Sequence, residues 1–224
     1  KLVQKSGYIK SEKAGGYMKY IATREGVEKL TGNDPVTKGQ RELIQKLLHD
    51  FPDAVELFEY EDYRKAPTLG TASAFITMAL DANLHEINSE SGYLSYIATR
   101  PRVERRGAHG LFSSAAAVDL DAAMSELEAH DGNVWTIIYS LRREDAARLG
   151  YDNAEAWRAL LMMHAQDLAK AMKIPADHFR WYAAFHNEGH HPHIHMMVWS
   201  DAPKEGFLTR EGIAAMRSKL TRSE

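Results

Sequence analysis

Residues 186–195 read HNEGHHPHIH, five histidines in ten positions, set between two runs rich in aromatic and β-branched residues. Those runs, FRWYAAFH at 179–186 and HIHMMVWS at 193–200, have strand character, and the polar connection NEGHHP is short enough to join them as antiparallel neighbours. Side chains alternate along a strand, so His193 and His195 point to one side of the sheet. The returning chain lets His186 approach them at the same end. A chain carrying this segment has to build a sheet around it.

The rest of the pattern supplies partners for that sheet. The first ten residues look extended, suited to an edge strand, and VWTIIYSL at 134–141 is a further strand. Helical spacing predicts helices near 17–30, 38–49, 54–63, 72–83 (with Thr71 as cap), 91–99 (stopped by Pro101), 115–130, 155–172 and 208–221. Strand, long helix, strand, hairpin, strand and helix in the second half predict an α+β fold, an antiparallel sheet with helices on one face and additional N-terminal helices. No long Ser- or Gly-rich linker divides the chain, so 1–224 reads as a single domain.

Composition excludes several classes. With 44% hydrophobic and 26% charged residues the chain is of ordinary globular type. It has no apolar run of the roughly 20 residues a membrane span needs, and KLVQKSGYIK lacks the apolar core of a secretory signal. The absence of cysteine removes disulfides, thiolate metal sites and cysteine nucleophiles, and fits a reducing cytoplasm. The net charge of −3 does not point to nucleic acid, and its distribution along the chain is more informative. Residues 1–24 carry six Lys or Arg against one Glu, 96–106 carry four Arg against one Glu, and 113–141 carry none. Such concentrated basic stretches either attract phosphates or are plain solvated faces.

Three neutral imidazoles converging from two strands make a divalent-metal site with positions left for water or phosphate. The predicted ligands are His186, His193 and His195. Imidazole suits Mn, Co, Ni, Zn or Fe better than Mg or Ca, and a ligand set without a carboxylate leaves the ion open. Glu188 is placed either to accept the second N–H of a ligand histidine, fixing its tautomer, or to ligate directly. His190 reads as exposed, and His191 as a DNA contact or a bystander. A histidine-rich surface hairpin with no metal is the bland alternative.

The chain also carries an echo. Residues 16–24 read GYMKYIATR and 92–100 read GYLSYIATR, and Val27-Glu28 recurs as Val103-Glu104. The two copies are either helices with similar packing roles or two tyrosine helices flanking one site. Tyr17 and Tyr20 lie three apart, on one helix face, and Tyr93 and Tyr96 repeat that spacing. Any of them has a half-buried aromatic as its ordinary explanation.

The H-x-E-x4-H-x-H pattern after an apolar strand, with Ile194 between the last two histidines, resembles the third motif of the HUH endonucleases. Within that superfamily the chain looks most like the conjugative relaxases of plasmid mobilisation, the MobP/MobL type. YMKYIATR at 17–24 is similar to their N-terminal tyrosine motif, and VWTIIYSLRRED at 134–145 followed by 155–172 is similar to their middle strand and long helix. The resemblance implies a bacterial, cytoplasmic enzyme that nicks one strand at an origin of transfer through a 5′-phosphotyrosine link, then rejoins the ends. It implies Tyr20 as nucleophile, with Tyr96 and Tyr17 as alternatives, and His186, His193 and His195 as ligands. Glu188 stands where many relatives have Asp. Relatives are often longer, so the chain fits the N-terminal fragment of a longer protein. The expected cofactor is a divalent ion, Mn²⁺ or Mg²⁺, with Ni, Co or Zn able to replace it in crystals. The expected partners are single-stranded origin DNA, auxiliary relaxosome proteins and a coupling protein.

Phenol, with a free pKa near 10, needs help to ionise, and a metal or Arg24 is the expected source. Lys19, Arg100, Arg102, Arg105 and Arg106 are the expected DNA contacts, with Arg142 and Arg143 further candidates. Rival readings are a rolling-circle initiator or transposase with the same metal motif, a three-histidine hydrolase or oxygenase unrelated to DNA, and a DNA-binding module with a structural metal. In the first of these the tyrosine usually follows the histidines, and 196–224 contains none. A histidine nucleophile, His109 or His49, has nothing positive in its favour.

Overall fold

The structure, a computed structural model, describes residues 3–7, 34–83, 90–99, 102–105, 107–188 and 191–221. The chain divides into two compact units, residues 1–8 with 89–224, and residues 9–88.

The larger unit is built on a five-stranded antiparallel sheet of order β1-β3-β5-β4-β2, comprising β1 (Val3–Gly7), β2 (Leu111–Phe112), β3 (Trp135–Ser140), β4 (Phe179–His186) and β5 (His193–Ser200). The extended N-terminus is the edge strand the sequence predicts, and β4 and β5 have the expected bounds. β2 is a two-residue strand that shows no period to read. Among the described residues, the helices of the smaller unit are α1 (Lys38–Asp50), α2 (Phe58–Lys65) and α3 (Leu69–Asn83); those of the larger are α4 (Glu90–Thr99), α5 (Leu120–Glu128), α6 (Arg143–Leu149), α7 (Ala154–Ala171) and α8 (Arg210–Thr221). The chain is α+β, as expected. The expected helix at 17–30 lies outside the described residues. Among the described residues no helix is long and apolar enough to cross a membrane.

Alternation sorts the sheet into two faces. Trp135, Ile137 and Tyr139 of β3, Phe179, Trp181, Ala183 and Phe185 of β4, and Ile194, Met196 and Val198 of β5 join one apolar core with Trp157, Leu160, Leu161 and Leu168 of α7 and Met216 and Leu220 of α8. Burial there pushes the Tyr139 phenol well above its ordinary range. The opposite face carries His186, His193 and His195. It is not open: α4 lies on it, so helices cover both faces rather than the single face expected.

Local differences from the sequence reading have local causes. The expected helix 115–130 starts only at Leu120, where the Asp119 carboxylate accepts from Ala122 N at 2.8 Å. Arg158 holds the preceding residues off the helix by donating to the carbonyls of Ser113, Ser114 and Ala115. The expected helix 54–63 splits into a 3-10 turn, Pro52–Glu56, and α2, with Leu57 extended between them. Thr68, not Thr71, caps α3, its hydroxyl accepting from Thr71 N at 3.2 Å. The sequence reading missed α6, a seven-residue helix ended by Gly150 at φ 78°.

In the smaller unit, Thr37 and Gln40 form a capping box at the start of α1. The Gln40 amide also donates to Leu69 O (3.0 Å) and Ser73 Oγ (2.9 Å), tying α1 to α3. Tyr60 and Tyr63 of α2 pack on Phe75 of α3.

In the larger unit α8 crosses α7 at Gly212, where an added Cβ meets Ala171 O at 2.5 Å. Alanine at a helix interior ordinarily gains about 1 kcal/mol over glycine, whereas overpacking of this kind costs about 1–3 kcal/mol. Gly212→Ala is therefore expected to destabilise the protein, read as a lower denaturation midpoint in urea; a higher midpoint means α8 shifts off α7 without cost.

Candidate metal centre

The register of β4 against β5 builds the site. His186 stands directly opposite His193, and Ala184 opposite His195. Residues opposite one another share a face, as do residues two apart. All three imidazoles thus leave the sheet on one side, with ring centroids 5.2 Å (186–193), 4.6 Å (186–195) and 5.0 Å (193–195) apart. Each is at most 1% exposed, and one nitrogen from each lies within 4.8 Å of the others. On β3, Ser140 and Ile138 stand opposite His193 and His195.

A buried imidazole needs its second nitrogen satisfied. His186 Nε2 lies 2.9 Å from Ile97 O, His193 Nδ1 2.9 Å from His191 O, and His195 Nδ1 3.0 Å from the Tyr93 hydroxyl. That leaves Nδ1 of His186 and Nε2 of His193 and His195 for the interior of the cluster. The first contact has a cause in the sequence. Ile97 is in the last turn of α4, where carbonyls lack helical partners, and the residue four on is Pro101, which has no N–H to offer. Ala98 O, next along, accepts instead from Gly110 N at 2.8 Å. The chain then runs beside the end of β4, with Val103 bridging His186 and backbone bonds Glu104 N to Phe185 O and Asn187 N to Arg102 O, both 2.9 Å.

Of the other expected site residues, Tyr17, Lys19, Tyr20, Arg24, Arg100, Arg106 and His190 lie outside the described residues. Tyr96 is half-buried on α4. Glu188 holds none of the three outward ring nitrogens; its carboxylate pairs with Arg102 at 2.5 Å. Arg102, expected on DNA, has a left-handed backbone, φ 68°, and engages Glu188. Arg105 is exposed, with Nη1 3.4 Å from Ala108 O. Arg143 donates to Asn187 Oδ1 (2.7 Å) and to Glu188 O, steadying the turn after β4. Arg142 stands at the N-cap of α6. His191 is buried and supplies the carbonyl for His193. His109 bonds Leu111 N and Val118 O, a structural role, and His49 is exposed in the last turn of α1. Tyr93, fully buried, was named in the sequence reading only as part of the second GYLSYIATR copy, with no role at the metal site.

Three imidazoles gathered in a buried cluster, each held from behind by an oxygen, are a donor set that fits a divalent cation. Cluster and outward partners together are what a metal site needs. No curated protein and no solved structure gives a significant match to the chain. Residues 1–223 match the family described as MobL relaxases. With that match over nearly its whole length, the chain belongs to the MobL family of conjugative relaxases.

Proposed function

We propose that this relaxase nicks origin-of-transfer single-stranded DNA, specific for site and strand, by tyrosine transesterification at a metal centre held by His186, His193 and His195. The convergence of three buried imidazoles within 4.8 Å carries the reading. The family match over 1–223, which spans both compact units, supports treating them as one relaxase domain.

In the proposed reaction the Tyr20 phenol attacks the scissile phosphorus. The phosphorus–O3′ bond breaks, a 5′-phosphotyrosine ester forms, and the 3′ end leaves as a hydroxyl once protonated. The ester retains the bond for religation. A divalent cation in the histidine site supplies charge stabilisation at the non-bridging oxygens and orients the phosphate. The three histidines hold that site through lone pairs, and the oxygens of Tyr93, Ile97 and His191 hold the histidines. Arg24, four residues beyond Tyr20, is proposed to favour the phenolate. Glu188, clamped by Arg102, is proposed to set the chain between His186 and His193. Lys19, Arg100, Arg105 and Arg106 are proposed phosphate contacts, with Arg102 joining them from its place on Glu188. The ion is proposed to be Mn²⁺ or Mg²⁺, and the setting the bacterial cytoplasm, with relaxosome and coupling proteins as partners.

Titration calorimetry with Mn²⁺ is expected to find one site per chain, and His193→Ala to weaken it by at least the 10–100-fold typical of losing even an outer partner of a ligand. Wild-type affinity in that variant rejects the site. Incubation with single-stranded origin DNA and Mn²⁺, followed by a denaturing gel, is expected to show a shifted covalent adduct. Tyr20→Phe is expected to abolish the adduct and leave DNA binding intact. An adduct that persists in Tyr20→Phe and vanishes in Tyr96→Phe or Tyr17→Phe moves the nucleophile to that residue. Adduct formation by all three variants removes the N-terminal tyrosine reading.

A further inference from the structure

The three ring contacts behind the metal centre are not chemically alike. Ile97 O and His191 O are carbonyls, which accept and never donate. A neutral imidazole facing a carbonyl must carry its proton there, so His186 is protonated at Nε2 and His193 at Nδ1. Their inner nitrogens are then lone pairs, ready to ligate. The Tyr93 hydroxyl, 3.0 Å from His195 Nδ1, both donates and accepts. If it donates, His195 carries its proton on Nε2, and that N–H points into the cluster where no cation can bind it. If it accepts, Nδ1 holds the proton and Nε2 is a ligand. His195 is thus the one histidine of the three whose contact behind the ring allows either tautomer.

We infer that Tyr93 is a positioning residue for the metal centre: its phenolic oxygen accepts the Nδ1–H of His195 and so presents the Nε2 lone pair to the cation. The inference rests on the metal-centre reading above and adds a residue to it. The phenol has the burial the role requires. Tyr93 is 0% exposed, its ring meets the His195 ring edge-on at 6.2 Å, and α4 carries both Tyr93 and the Ile97 carbonyl, one helical turn apart on the side facing the histidines. One helix therefore orients two of the three ligands. The same geometry gives the second GYxxYIATR copy a use that does not require it to be the nucleophile.

Tyr93→Phe keeps the ring and removes the acceptor. It is expected to weaken Mn²⁺ binding in calorimetry by roughly 10- to 100-fold, the usual loss when the hydrogen-bond partner of a ligand is removed, with the circular dichroism of the metal-free protein unchanged. Nitrogen-15 spectra of the histidine side chains in wild-type protein loaded with diamagnetic Zn²⁺ are expected to show His195 protonated at Nδ1. Where wild type binds Mn²⁺ and His193→Ala does not, an unchanged affinity in Tyr93→Phe overturns the role of the phenol and leaves the metal site standing. Absence of Mn²⁺ binding by wild type overturns both. Should Tyr93→Phe fail to fold, the zinc spectrum decides, and a His195 protonated at Nε2 in the loaded protein overturns the inference.

Discussion

The pairing of His186 with His193 across β4 and β5 is the contact on which the site depends. A slip of one residue in an antiparallel pair sends every side chain to the other face. It would thrust the imidazoles into the core and bring Phe185, Ile194 and Met196 out of it. Each of those contributes on the order of 1.5–3 kcal/mol by being fully buried, and the displaced set extends along both strands. Against a typical stability margin of about 5–15 kcal/mol, such a slip is not tolerated. The apolar face thus positions the polar one: packing of α7 and α8 on one side of the sheet decides where the histidines stand on the other.

On the histidine face the constraint is different. A buried imidazole nitrogen left without a partner costs about 1–3 kcal/mol, and three rings side by side pose that problem three times. The fold answers it with the C-terminal turn of α4, the carbonyl of His191 and the phenol of Tyr93. The Ile97 carbonyl, in the last turn of α4, is one of those a helix end leaves without a helical partner, and it serves His186. The chain after α4 then pairs with the end of β4 through Val103 and Glu104, and the Glu104 carboxylate also accepts from Ala154 N at the start of α7, 3.1 Å away. Ligand orientation and the packing of the long helix share one segment.

The turn between the two ligand strands is braced rather than loose at its described end. Arg102 holds the Glu188 carboxylate, and Arg143 reaches Asn187 and the Glu188 carbonyl. Arg102 lies in a basic stretch whose charge, taken alone, suggests phosphate contacts, and Arg143 is a further candidate for them. Their place in the fold gives them a structural use as well, which is why basic stretches read from sequence overstate how many residues are spare for a ligand.

Features with a short period were legible in the chain alone. Strand alternation put His193 and His195 on a common face, the short polar connection brought His186 to them, and the bounds of β4 and β5 followed from their composition. Long helices such as α7 were readable for the same reason, since their pattern repeats over several turns. The short elements were not: β2 and α6 are too brief to show a period, and the late start of α5 depends on Arg158, 43 to 45 residues from the carbonyls of Ser113 and Ala115 that it holds. The groups standing behind the ligands were fixed only on folding. Tyr93 and His195 are 102 residues apart and Ile97 and His186 are 89, distances over which no local rule of spacing acts. A repeated tyrosine motif marks a residue, but which atom it touches is settled when α4 packs on the sheet, because a hydrogen bond requires two atoms within about 3 Å and only the folded chain sets that separation.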